Sequence, residues 1–195
     1  MRTFTTRLLF LIAISAVAAF MLTSGCGDKS LTLHIDLLSF MDSTLVTQTY
    51  GDNPVIPAGN PYVPILAPSQ RVNLSEGLGD ITDIESVSLR ISSEFVNDTG
   101  TADVLLEVFV TDTLDNPYDA IPYISETLHV EPTATDTVHA DIVGDEALGE
   151  LFTSEAVQLS FRLTFDASSS SEDVTGIENM IRFNATVVAR RHISQ

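Results

Sequence analysis

The residues that could do chemistry in this 195-residue chain are few and scattered. Four histidines, His34, His129, His139 and His192, stand in no metal-binding spacing such as HExxH. His129 and His139 lie in two successive alternating segments whose pairing would bring them together. A zinc site there would need carboxylates to complete it. Serine is abundant, with an unbroken run from Ser168 to Ser171, yet no GxSxG elbow presents one as a nucleophile. Gly77 and Gly79, in Glu76-Gly77-Leu78-Gly79, read as a turn and not as a phosphate cradle. With 27 acidic residues some pair will always meet, so paired-carboxylate hydrolysis leaves no signature of its own. The densest oxygen-rich stretch holds Asp98, Asp103, Asp112, Asp115, Asn116 and Asp119. Calcium takes several oxygen ligands from irregular backbone, which makes Asp98, Asp103, Asp112 and Asp115 the calcium candidates. The plainer reading is that Asp and Asn form turns. No catalytic constellation and no cofactor motif emerges, so the chain reads as a non-enzyme.

The elements that must position these residues have a period of two. Leu31, Leu33, Ile35 and Leu37 alternate with polar residues. So do Val87, Leu89 and Ile91; Val104, Leu106, Val108 and Val110; Val157 to Phe165; and Ile181, Phe183, Ala185 and Val187. Alternation of this kind gives a strand one buried and one wet face. Weaker candidates lie near 45–50, 71–74, 126–130 and 135–142. Asn97-Asp98-Thr99-Gly100 reads as the turn of a hairpin. Residues 166–176 read as a mobile serine-rich loop. One short helix is expected over 145–152. The predicted fold is all-β: an antiparallel sandwich of eight or nine short strands, immunoglobulin-like in architecture but without a tryptophan or a disulfide pair.

Residues 52–68 interrupt the pattern with five of the eight prolines. Proline removes a donor and fixes φ, which excludes a central strand. The segment is expected to be an extended connection over the sandwich. Its apolar residues make Tyr62, Ile65 and Leu66 a candidate contact surface for an envelope protein, since exposed apolar patches mark contacts.

The N-terminus carries a different signal. Arg2 and Arg7 precede an apolar run from Leu8 to Leu22, followed by Thr23-Ser24-Gly25-Cys26. A positive start, a short apolar stretch and small residues before a cut site define a secretory signal. The run is about 15 residues, short of the ~20 a spanning helix needs. The cut region resembles the lipobox of bacterial lipoproteins, in which a small residue precedes an invariant cysteine; Thr23 stands where that family usually has leucine. The resemblance implies that residues 1–25 are removed and that the Cys26 thiol carries diacylglycerol. Two or more chains give stable anchoring where one gives only marginal binding. Cys26 is the sole cysteine, so no internal disulfide competes for it. Gly27 lacks the aspartate that in Gram-negative families retains a lipoprotein at the inner membrane, and this implies the outer membrane, facing the periplasm. Residues 26–30 would form a short tether and 31–193 a single domain.

Formal net charge is −18. Loss of Arg2 and Arg7 with the leader would take it to −20. Nucleic acid, which needs a basic footprint, is disfavoured as a partner. The densest basic spot is Arg190-Arg191. If the last strand runs antiparallel to the first, Arg190 and Arg191 lie beside the tether and face lipid headgroups. The functional expectation is a membrane-anchored, non-enzymatic structural, adaptor or binding module; the alternative is a calcium- or carbohydrate-binding sandwich.

Overall fold

The computed structural model describes residues 29–73, 83–112, 116–154 and 156–191, with side chains for all of these except 29, 44, 45 and 191. Cys26, Asp115, His192 and the turn at 76–79 lie outside the described residues. The described residues form ten strands: β1 (Lys29–Asp36), β2 (Thr47–Tyr50), β3 (Val63–Leu66), β4 (Gln70–Asn73), β5 (Ile84–Thr99), β6 (Ala102–Thr111), β7 (Ile124–Val130), β8 (Thr135–Asp145), β9 (Ala156–Asp166) and β10 (Thr175–Arg191).

They form two antiparallel five-stranded sheets that enclose one interior, as the alternation predicts. The first sheet runs β1-β10-β5-β8, with β2 continuing along the same edge of β10 beyond β1. The second runs β3-β9-β6-β7, with β4 continuing along the same edge of β9. Ten strands therefore fill eight positions. Among the described residues, β6 and β7 are the only sequential strands that hydrogen-bond to each other. The other connections cross between sheets or run along one edge, which is the jelly-roll form of the sandwich. The order differs from that of the immunoglobulin fold, while the two-sheet architecture is the expected one.

Two local expectations change. The turn at 97–100 does not make a hairpin: β5 belongs to the first sheet and β6 to the second. Gly100, at φ +69°, turns the chain from one to the other. A Cβ there would sit 2.8 Å from the Asp173 carbonyl oxygen, so only glycine fits. The loop 166–176 is pinned to this turn. Thr99 Oγ1 donates to the Asp173 carbonyl at 2.8 Å, the Thr101 amide donates to Ser170 Oγ at 3.1 Å, and the Ala58 amide donates to Asp173 Oδ1 at 3.0 Å. The serine run is thus part of the closure of that end. In β10 a bulge between Met180 and Arg182 shifts the register. Ile181, read from alternation as inward, is 53% exposed, while Met180 and Glu178 face in.

The core falls into two apolar clusters. One gathers Val87, Leu89, Ile91, Val108, Phe161 and Phe183 and is closed by the helix Glu146–Phe152. Asp145 caps that helix, its carboxylate accepting from the Leu148 amide at 2.7 Å, and Leu148 and Phe152 are buried beneath it. The other gathers Tyr50, Ile56, Phe95, Val104, Phe165 and Val174 at the far end. Ser93 lies between Ile91 and Phe95, and Glu178 next to Met180, so both fall where one cluster gives way to the other.

Candidate functional site

The outer face of the first sheet carries two of the four histidines, His34 and His139, among other polar side chains. Register sets them in rows. Asp36 pairs with Asn184, Asn184 with Arg90, and Arg90 with Asp141. Beside this row, His34 pairs with Thr186 and Thr186 with Ser88. The rows line a shallow groove of about 370 Å³, and Val143, 83% exposed, forms part of its wall. Arg90 donates to Asp141 through Nε at 2.8 Å, and that carboxylate raises the guanidinium further above its ordinary range. His34 Nδ1 and Thr186 Oγ1 are 3.0 Å apart, and Ser88 Oγ accepts from the Gly144 amide at 2.9 Å. Among the described residues, the Asp36 carboxylate and the Asn184 amide have no side-chain partner. They are the open hydrogen-bonding groups of the groove.

One row further along β5, His139 Nδ1 lies 2.8 Å from Ser92 Oγ. Two hydroxyl–imidazole pairs thus stand on this face. A nucleophile–base pair works in acyl transfer only with convergent donors for the developing oxyanion. Ser92 on β5 and Thr186 on β10 stand mid-sheet, where the backbone N–H groups are committed to the ladders on either side. His129 does not join His139, because β7 and β8 belong to different sheets; its Nδ1 is 2.8 Å from Asp103 Oδ1.

The calcium candidates are split by the length of β6. Asp98 and Asp103 lie at its start, near the Gly100 turn, and Asp112 just past its end. At ~3.3 Å rise per residue, Asp103 and Asp112 are about 30 Å apart. Among the described residues, no group of three or more His, Cys, Asp or Glu could hold a metal ion.

The proline-rich segment is an edge element. β3 pairs on one side only, with β9, and Pro64 stands opposite Thr164 where a missing donor is tolerated. Tyr62 and Leu66 are 61% and 55% exposed, whereas Ile65 packs against the second cluster. Leu66 faces Arg162 across the ladder. Arg162 forks onto Glu107 at 2.6 and 2.9 Å and lies 5.0 Å from the centre of the Phe109 ring. Tyr118 packs edge-on against Phe109. The candidate contact residues are therefore two, Tyr62 and Leu66, beside a nearly buried ion pair.

β1 and β10 are antiparallel, with Lys29 opposite Arg191 and Ser30 opposite Arg190. The condition set for Arg190 and Arg191 holds at the backbone. Arg190 also pairs with Glu85 and donates its amide to the Asp83 carbonyl, so it is a partly engaged cation.

A further residue was not legible in the sequence. Glu178 is 2% exposed and faces the interior between the sheets. Ser93 Oγ donates to it at 2.6 Å. Burial raises its carboxyl to about 7, and the Ser93 hydrogen bond moderates that rise.

No family model matches the chain, and no curated protein does. Solved structures do. A chain of infectious bursal disease virus Gx strain is 10% identical, with a TM-score of 0.43; the match covers 87% of this chain and 36% of that one. The VP2 subviral particle of the same virus is 11% identical, with a TM-score of 0.36 over 87% and 39% of the two chains. TmCBM61, solved in complex with β-1,4-galactotriose, is 11% identical, with a TM-score of 0.29 over 82% and 88%. This chain spans a little over a third of the viral chains it resembles.

Proposed function

We propose that this protein is an envelope lipoprotein, held at the outer membrane through acylated Cys26, that works by binding and not by catalysis. The observation that carries the reading is the β1–β10 register. It brings the start of the domain beside Arg190 and Arg191, at the end where Cys26 would tether it. β1 begins at Lys29, so only Gly27 and Asp28 separate the acylated cysteine from the sheet. The basic residues Lys29, Arg190 and Arg191 of the sequence would then stand at the membrane end, with Arg190 also paired to Glu85, while the groove and the surface around Tyr62 and Leu66 are left to partners.

Labelling with tritiated palmitate and membrane fractionation test this. The wild type should take up label and pellet with membranes; Cys26→Ser should do neither. A wild type that stays soluble and unlabelled overturns the reading.

The groove supports a second, finer reading, a hydroxyl-rich ligand such as a neutral glycan. Its open groups, the Asp36 carboxylate and the Asn184 amide, offer acceptors and donors side by side. Asn184→Ala should abolish retention on a polysaccharide affinity gel. Retention unchanged by that substitution would remove the groove from the account.

A further inference from the structure

The interior of the sandwich holds one acid in a position that strand packing alone does not require. Glu178 sits on β10 opposite Gln48 of β2 on one side and Phe95 of β5 on the other. Its side chain borders a void of about 10 Å³, lined also by Gln48, Ile65, Leu106, Leu163 and Met180. A void of that size has room for about one water molecule. Its outer boundary is formed by β2 and β3. Both are four-residue edge strands, held by β10 and β9 respectively and, among the described residues, by no other strand. Gln48 and Ile65 are only half-buried, so the seam between the sheets comes nearest to solvent there.

The groups around the carboxyl leave it without a countercharge. On β5 its partner is the Ser93 hydroxyl. On β2 the nearest titratable group is the Tyr50 phenol, which donates to Asn97 Oδ1 at 3.1 Å and is held protonated, chiefly by burial. Leu106, Phe161, Leu163 and Ile65 face the void from the second sheet and are apolar. Glu107 and Arg162 neutralise each other on the outer face of that sheet, and Glu94 lies on the outer face of the first. Among the described residues, no cation reaches Glu178. An ionised carboxylate in such a place must either find water or leave.

We propose that Glu178 is a proton-controlled latch on the β2–β3 edge. Protonated, it lets the two sheets close over the void. Ionised, it draws water through the seam and releases β2, β3 and the proline-rich segment between them. That segment carries Tyr62 and β3 carries Leu66, so the state of one buried proton would set how firmly the candidate contact surface is held.

Hydrogen exchange by mass spectrometry on the full-length protein in detergent micelles tests this, after correction for the intrinsic pH dependence of exchange. Protection of the amides in β2 and β3 should fall about tenfold per pH unit between about pH 4.5 and 7, then level off. Protection in β6 and β9 should change far less. Glu178→Gln should keep the edge protected at pH 8 and flatten the response. Ser93→Ala removes the hydrogen bond that favours the charged form, so it should move the levelling-off to higher pH. The latch is refuted if Glu178→Gln retains the wild-type pH response, or if β6 and β9 lose protection in step with β2 and β3. Should the glutamine variant not fold, the direction of the Ser93→Ala shift decides alone: no shift, or a shift to lower pH, refutes it.

Discussion

At the scale of single residues, the two acids buried among the described residues are handled in opposite ways. Glu107 has a cation: Arg162 takes both its oxygens and lies against the Phe109 ring. Breaking a nearly buried pair from one side leaves a charge without compensation, at a cost of about 3 kcal/mol or more. Arg162→Ala should therefore lower the urea midpoint strongly, and adding Glu107→Leu should restore much of it. If the double variant is no more stable than the single, the pair is not what holds that face. Glu178 has only Ser93. Its carboxyl is raised from 4.5 to about 7 in the folded protein. Below pH 4.5 it is protonated in both folded and unfolded chains, and no penalty applies. As pH rises to 7 the unfolded chain releases the proton first, so stability falls by about 3 kcal/mol and the deficit then stays constant. Urea titrations should find Glu178→Gln more stable than wild type at pH 8 by roughly that amount, and equal to it near pH 4. A variant with the wild-type midpoint at pH 8 would mean that the carboxylate is already hydrated in the fold.

At the scale of elements, what was legible in the sequence was which residues face inward, and what was not was which strands pair. Val87, Leu89, Ile91, Val104, Leu106, Val108 and Val110 are buried, as alternation requires. Period two names a face but not a partner, so the turn at 97–100 looked like a hairpin although it joins two sheets. Alternation also fails silently at a bulge. The extra residue in β10 sent Ile181 outward and left Glu178 inside, and no local composition marks the shift. The candidate site was less legible still, because the groove is assembled by register from four strands. His34 and Asp141 are more than 100 positions apart. One close approach makes an element-level test. Gly176 pairs with Tyr50 across β10 and β2, and a Cβ at Gly176 would overlap the Tyr50 phenol and the Val96 carbonyl. Overpacking of this kind costs about 1–3 kcal/mol. Gly176→Ala should lower Tm by several degrees, on the order of 5 °C, and should loosen β2 before the rest of the sheet in hydrogen exchange. An unchanged Tm would mean that both the Tyr50 ring and the β5 backbone at Val96 shift aside freely.

At the scale of the whole molecule, the two ends of the sandwich differ in kind. One end receives the chain at Lys29 and returns it at Arg191. The other is closed by Gly100, residues 56–60 and the loop 166–174, which hydrogen bonds tie together, with Gly51 packed against Val174 and Thr175. β10 runs from one end to the other, and at ~3.3 Å per residue its 17 residues span about 50 Å. If Cys26 is acylated, Gly27 and Asp28 give a reach of only about 7 Å. The net charge, −18 for the whole chain and −20 without Arg2 and Arg7, opposes lying flat on an anionic bilayer. The domain should then stand on its β1–β10 end. A fluorophore on Ser30→Cys, in a chain whose own Cys26 is already lipidated, should be strongly quenched by headgroup-labelled lipid in vesicles. One on Gly59→Cys, where an added Cβ meets no atom within 4 Å although the φ of +75° strains a side chain locally, should not be. Inserting ten Gly/Ser residues after Gly27 should weaken quenching at Ser30, because a flexible linker of that length averages about 17 Å end to end. Equal quenching at Ser30 and Gly59 would show a domain lying on its side, and the short tether would then fix its address but not its height.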